Sequence, residues 1–99
     1  MIVVRFKVQS QPEKTEELRK TLTAVIAPAR ATQGVISFDI AEDLTDPNTF
    51  IATEVFADHA ARERQESLPE VAAVMALLPD SILTPPEVND WSVSEAAIA

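Results

Sequence analysis

Few side chains in this 99-residue sequence could do chemistry, and they fall in two stretches. In FIATEVF, residues 50–56, an acid stands at two-residue spacing from aromatic positions, so Glu54 shares a strand face with Phe50 and Phe56. If that face looks into a core, desolvation raises the proton affinity of Glu54 and suits it to acid–base work. The other reading is a glutamate near a sheet edge, salt-bridged or wet, and the local sequence leaves both open. In RQESLPE, residues 64–70, Gln65, Glu66 and Glu70 put three carboxylates or amides within six positions, just after the only histidine, His59. His59 follows Asp58, a helix-cap residue type, so its first-turn position predicts an exposed side chain. A catalytic base needs a positioned partner, and His59 has none in evidence. With one histidine, no cysteine and scattered acids, no metal-ligand spacing exists, and the expectation is no metal. Gly34 is the only glycine, so there is no phosphate-cradling loop. Ser37 and Ser67 have no histidine–acid context that would make either a nucleophile.

The elements that must position these residues can be read from periodicity. IVVRFKV alternates, with Val4, Phe6 and Val8 on one strand face. Leu18, Leu22, Val25, Ile26 and Ala29 form one apolar helical stripe. Ser10 and Glu13 fit a capping box with Pro12 in the first turn, and Pro28 is expected to kink or end the helix near Gly34. VISFDIAED is a second strand with Ile36, Phe38 and Ile40 on one side. Asp46, Pro47 and Asn48 make a turn, and FIATEVF follows as the other half of an antiparallel hairpin. A short helix capped by Asp58 covers HAARERQE, where Arg62 and Glu66 sit at i,i+4 spacing on what reads as a solvated face. SLPE repeats the grammar of SQPE, so Ser67 and Glu70 fit a second capping box with Pro69 in the first turn. Val71, Val74, Met75 and Leu78 give that helix its buried stripe, and Pro79 is expected to stop it. EVNDWSVS, after Pro85 and Pro86, is a last strand at a sheet edge. Its Trp91 could line a pocket or a dimer interface, with core packing the commoner role. The tail EAAIA carries little signal.

The order strand, helix, strand, strand, helix pair, strand predicts an α+β fold. We expect a ferredoxin-like sandwich: a four-stranded antiparallel sheet with helices on one face, in a single domain spanning residues 1–99. The third strand is apolar on both faces, with Ile51 and Val55 opposite Phe50 and Phe56. The face without helices then needs a cover, and a second copy of the same sheet supplies one, which predicts a symmetric homodimer. The acidic balance, 8 Lys and Arg against 16 Asp and Glu, repels phosphate backbones and anionic lipid, so no nucleic-acid or membrane partner is expected. MIVVRFKVQ lacks the basic and apolar regions of a secretory signal, and no apolar run approaches the ~20 residues of a bilayer span. A cytoplasmic location is the default expectation.

Four segments in order, PEKTEEL, PARATQGV, DPNTF and EVFADHAARERQESLPE, resemble the antibiotic biosynthesis monooxygenase (ABM) domain family over nearly the whole chain. Pro12-Glu13-Lys14 stands for the family's Pro-Gly-Lys turn, Arg30 and Gly34 match the arginine and glycine before its second strand, and Glu54 and Phe56 match its Glu-x-aromatic pair. The resemblance implies a dimeric α+β barrel with a pocket between sheet and helices. It also implies oxygenation of quinol-like or polycyclic aromatic molecules by dioxygen without cofactor, the deprotonated substrate supplying the electrons. The family's two helix histidines are replaced here by Gln65 and Glu70. Gln65 can hold a substrate oxygen but cannot take a proton near neutral pH. The asparagine, tryptophan and histidine of the haem-degrading branch correspond to Phe6, Phe56 and Gln65, which leaves no haem ligand. The expected site is therefore Glu54 as base and Gln65 as hydrogen-bonding partner, with Phe6, Phe56 and Trp91 shaping the walls around an aromatic or quinone-like substrate. The rival expectation is a non-catalytic ligand-binding or stress-associated dimer that keeps the fold and has lost the reaction.

Overall fold

A computed structural model describes residues 1–94 of the chain; the tail EAAIA lies outside them. Strand β1 (Ile2–Gln9) leads through a 3-10 turn at Pro12–Lys14 into helix α1 (Thr15–Ala31). Strands β2 (Val35–Glu42) and β3 (Thr49–Phe56) follow as a hairpin, then helices α2 (His59–Glu66) and α3 (Pro69–Ser81), then strand β4 (Glu87–Ser92). The sheet order is β2-β3-β1-β4, antiparallel throughout, so the first and third strands are central and β4 is an edge. This is the ferredoxin-like arrangement.

The register sets out which side chains are neighbours. On the face toward the helices, four rows run across the sheet. Ile2 aligns with Phe56 and Ser92; Val4 aligns with Glu54 and Asp90; Phe6 aligns with Ala52 and Val88; Val8 aligns with Phe50. Cross-strand partners share a face because side chains alternate with period two. Val8, Phe50 and Phe38 pack under Leu18, Leu22 and Val25 of α1 and under Val74 and Leu78 of α3. A second, smaller cluster of Ile2, Val4, Phe56 and Ala61 closes the other end beneath α2. Each large apolar side chain so buried contributes roughly 1.5–3 kcal/mol.

Several local expectations are revised. Ser10 does not cap α1. It is buried, its hydroxyl lies 2.6 Å from Thr15 Oγ1 and donates to the Asn48 carbonyl, and so it ties the helix start to the β2–β3 turn. Ser67 does not cap α3 either. Its hydroxyl donates back to the Glu63 carbonyl, closing α2, while Leu68 occupies the cap position with Pro69 as the first helical residue. A serine hydroxyl can bond backward or forward, and tertiary packing decides which. Pro28 and Pro79 both lie inside their helices, which run on to Ala31 and Ser81. Each proline lies within one turn of the helix end and interrupts a single i→i−4 bond, and the Thr32 and Ser81 hydroxyls donate to the Pro28 and Leu77 carbonyls in those last turns. Asp58 does cap α2, accepting from the Ala61 amide at 2.9 Å.

Ile36 departs from the face of Phe38 and Ile40. The β2–β3 register shifts between Val35 and Ser37, and this bulge turns Ile36 outward, leaving it 56% exposed. Gly34 precedes the bulge at φ +86°, and a Cβ there would stand 2.6 Å from the Ala61 Cβ. Both the left-handed backbone and the close approach of α2 require glycine. The outer sheet face carries Val3, Val55 and Ile51, with Trp91 beside Val3 on the edge strand. Among the described residues, no helix is long and apolar enough to cross a membrane.

Candidate functional site

The two core clusters are separate, with half-buried Val35 packed against both. Between them, where the Val4 and Phe6 rows face α1, α2 and α3, lies a cavity of about 420 Å³. Ala52 keeps its floor low, since its neighbours in the row, Phe6 and Ile40, are both larger. Leu22, Val25, Val71 and Val74 form the roof, and Met75 and Val88, each more than half exposed, stand at the mouth. The size suits a drug-sized or bicyclic-to-tricyclic molecule.

Among the described residues, four polar side chains line the cavity: Glu54, Arg62, Gln65 and Glu66. Glu54 projects from the centre of the sheet between Val4 and Phe38. Burial pushes its carboxyl up to about 7, with a further upward push from the negative charge of Glu66 and an opposing pull from Arg62. That is the desolvated alternative of the two the sequence left open for Glu54. Gln65, on the inner face of α2, is only 2% exposed. It lines the cavity, where its side-chain amide can offer both a donor and an acceptor.

Arg62 was legible only as part of a solvated helix face, yet its side chain is 23% exposed and forms part of the cavity wall. Its Nε donates to Glu66 at 2.8 Å and its Nη1 to Asp90 on β4 at 2.9 Å. The i,i+4 spacing announced the first bond; nothing in the sequence announced the second, which depends on Asp90 sharing a row with Val4 and Glu54. Among the described residues, no three His, Asp or Glu side chains are grouped so as to hold a metal ion.

Of the five expected site residues, Glu54, Gln65 and Phe6 come together at the cavity. Phe56 does not line it. It is fully buried in the smaller cluster with Ile2, Val4 and Ala61, one row away from Glu54. Trp91 is also removed from the cavity: it aligns with Val3, so it stands on the opposite face of the sheet and is 50% exposed. Strand parity is the reason, since only the even-numbered residues of β4 face the helices. His59 is exposed and borders a separate recess near Met1 and Ser92. Glu70 does not line the cavity.

The fold and site define a class first: a ferredoxin-like sheet and helix layer with a mostly apolar cavity between them, into which a carboxyl of raised pKa projects. The chain belongs to the antibiotic biosynthesis monooxygenase family, whose model matches residues 1–77. An uncharacterised protein of Synechocystis sp., sll1783, is 30% identical over 94 residues, which is 95% of this chain and 64% of that protein. The chain thus spans a little under two thirds of that relative's length. The Bacillus subtilis protein named "Putative monooxygenase YcnE" is 26% identical over 95 residues, covering 96% of this chain and 100% of the relative. The structure of Rv0793 from Mycobacterium tuberculosis superposes with a TM-score of 0.86 over 95% of both chains at 21% identity, a likeness of fold.

Proposed function

We propose that the chain is a cofactor-independent monooxygenase that acts with dioxygen on a quinol-like or polycyclic aromatic molecule held in the cavity. The observation that carries this reading is the position of Glu54: an acid of raised proton affinity, without a hydrogen-bond partner among the described residues, in a hollow lined mostly by apolar side chains. Near neutral pH such a carboxyl exists in both protonation states, the condition under which a general base works best. Ionised Glu54 takes a proton from an acidic substrate position, and the Gln65 amide donates to the substrate oxygen on which charge develops. The substrate anion reduces dioxygen and forms a carbon–oxygen bond. The resulting hydroperoxide, reprotonated by Glu54, loses water to leave a carbonyl. Overall, a ring CH₂, present in an anthrone or in the keto tautomer of a quinol, and O₂ become C=O and H₂O, with the substrate as the only electron donor. Phe6 forms part of the apolar wall against which a ring can pack.

Oxygen uptake with a panel of hydroquinones and anthrones tests this reading. Turnover should rise with pH about a midpoint near 7 and fall at least tenfold in Glu54→Gln. Unchanged turnover in that variant removes Glu54 from the role. A second reading, a ligand-binding dimer without turnover, is favoured by one observation: the family's histidine positions carry Gln65 and Glu70, neither of which can relay a proton as histidine does. Saturable binding of a quinol with no consumption of quinol or oxygen selects the binder.

The outer face of the sheet, with Val3, Val55 and Ile51 beside half-exposed Trp91, supports a homodimer in which a second copy covers it. Sedimentation at micromolar concentration giving only a species of single-chain mass rejects the dimer.

A further inference from the structure

The proposed substrate class can be narrowed by the charges at the cavity wall, an inference that rests on the cavity being the ligand site. An arginine lining an apolar cavity ordinarily marks a receptor for a carboxylate, because its fork of N–H donors matches two carboxylate oxygens. Here that function is already taken. Arg62 donates through Nε to Glu66 and through Nη1 to Asp90. The two acids approach from different elements, Glu66 from α2 and Asp90 from β4, and both are about half exposed. With Glu54 also at the wall, one cation faces three carboxyls. A ligand carrying a fixed negative charge would enter a region of net negative charge, partly shielded from water, with its natural counter-ion occupied. An uncharged hydroxylated aromatic meets no such penalty, and passing its proton to a neighbouring carboxylate leaves the total charge of the site unchanged.

We propose that Glu66 and Asp90 are specificity-determining residues: by engaging Arg62 they reserve the cavity for uncharged aromatic ligands and exclude carboxylated ones. Neutralising both acids should release the guanidinium and convert the site into a carboxylate binder.

The test is calorimetric titration at pH 7.5 with two probes of matched ring system, 2-naphthol and 6-hydroxy-2-naphthoate, on the full chain. Wild type should bind the naphthol at least tenfold more tightly. In the Glu66→Gln/Asp90→Asn double variant the preference should collapse or invert, through a gain of at least tenfold for the naphthoate. Adding Arg62→Gln to that background should abolish the gain, read as the ratio of naphthoate to naphthol affinity in the same variant. All replaced acids are half exposed, and their amide isosteres preserve shape, so native circular dichroism is expected in each variant. Equal binding of both probes by wild type, or an unchanged preference in the double variant, overturns the charge-selection inference while leaving the cavity as a ligand site. Binding of neither probe to any variant overturns both.

Discussion

Glu54→Gln should make the protein more stable at high pH, and by an amount that can be worked out. The carboxyl of Glu54 sits near 7 in the folded chain against an ordinary 4.5. Below pH 4.5 it is protonated in both folded and unfolded states and contributes no pH dependence. Between 4.5 and 7 the unfolded chain releases the proton and the folded chain keeps it, so stability falls as pH rises. Above 7 the folded state holds an ionised, poorly solvated carboxylate and the full penalty is present. A gap of this size corresponds to a ceiling of about 3.5 kcal/mol at roughly 1.4 kcal/mol per pH unit, and about 2 kcal/mol is expected because the cavity mouth admits water. Glutamine has the same shape and no charge, and it shares the low-pH reference of protonated glutamate. Urea unfolding followed by circular dichroism at pH 4.5, 6, 7 and 8.5 measures the difference. The two proteins should be nearly equal at pH 4.5 after alignment, with the variant gaining steadily to about 2 kcal/mol by pH 8.5. Every other titrating group is common to both and cancels. Parallel curves across the whole range would mean that Glu54 is well solvated, and the base assigned to the proposed reaction would lose its physical basis.

Three further substitutions separate the cavity from its supports. Phe56→Ala should cost about 3–5 kcal/mol in urea unfolding, because Phe56 is a fully buried core residue, not a cavity wall. Ala52→Leu should fill the cavity floor: quinol affinity should fall at least tenfold in titration calorimetry, with stability changed by less than about 1.5 kcal/mol, since the added atoms enter space and displace no packed neighbour. Gly34→Ala should cost at least about 2 kcal/mol in thermal or urea unfolding, combining the strain of a left-handed backbone with a Cβ pressed against Ala61.

Much of the site was legible because it depends on local period. The alternation in FIATEVF put Glu54 on the face of Phe50 and Phe56, while which face the helices cover stayed open until the packing was known. The errors arose where a distant element decides a local outcome. Ser10 and Ser67 have the side chain of a cap, but Ser10 is drawn into the β2–β3 turn through Asn48, and Ser67 closes the helix behind it. Ile36 follows the strand pattern until a bulge, invisible to periodicity, reverses it. Phe56 matches a family position and an aromatic type suited to a wall, yet a one-row displacement along β3 puts it against Ala61 instead of the cavity.

By itself, the sequence determined the number, kind and order of the elements and which residues share a strand face, including the pairing of an acid with an apolar face. These follow from hydrophobic period and turn chemistry, which act over a few residues. Only the tertiary structure decided that the two core clusters stop short of each other and leave a hollow, that Trp91 turns away from it, and that Arg62 is held by Asp90 from another strand. Those outcomes depend on cross-strand register and on side-chain volumes meeting across the layer, which no single stretch of chain encodes.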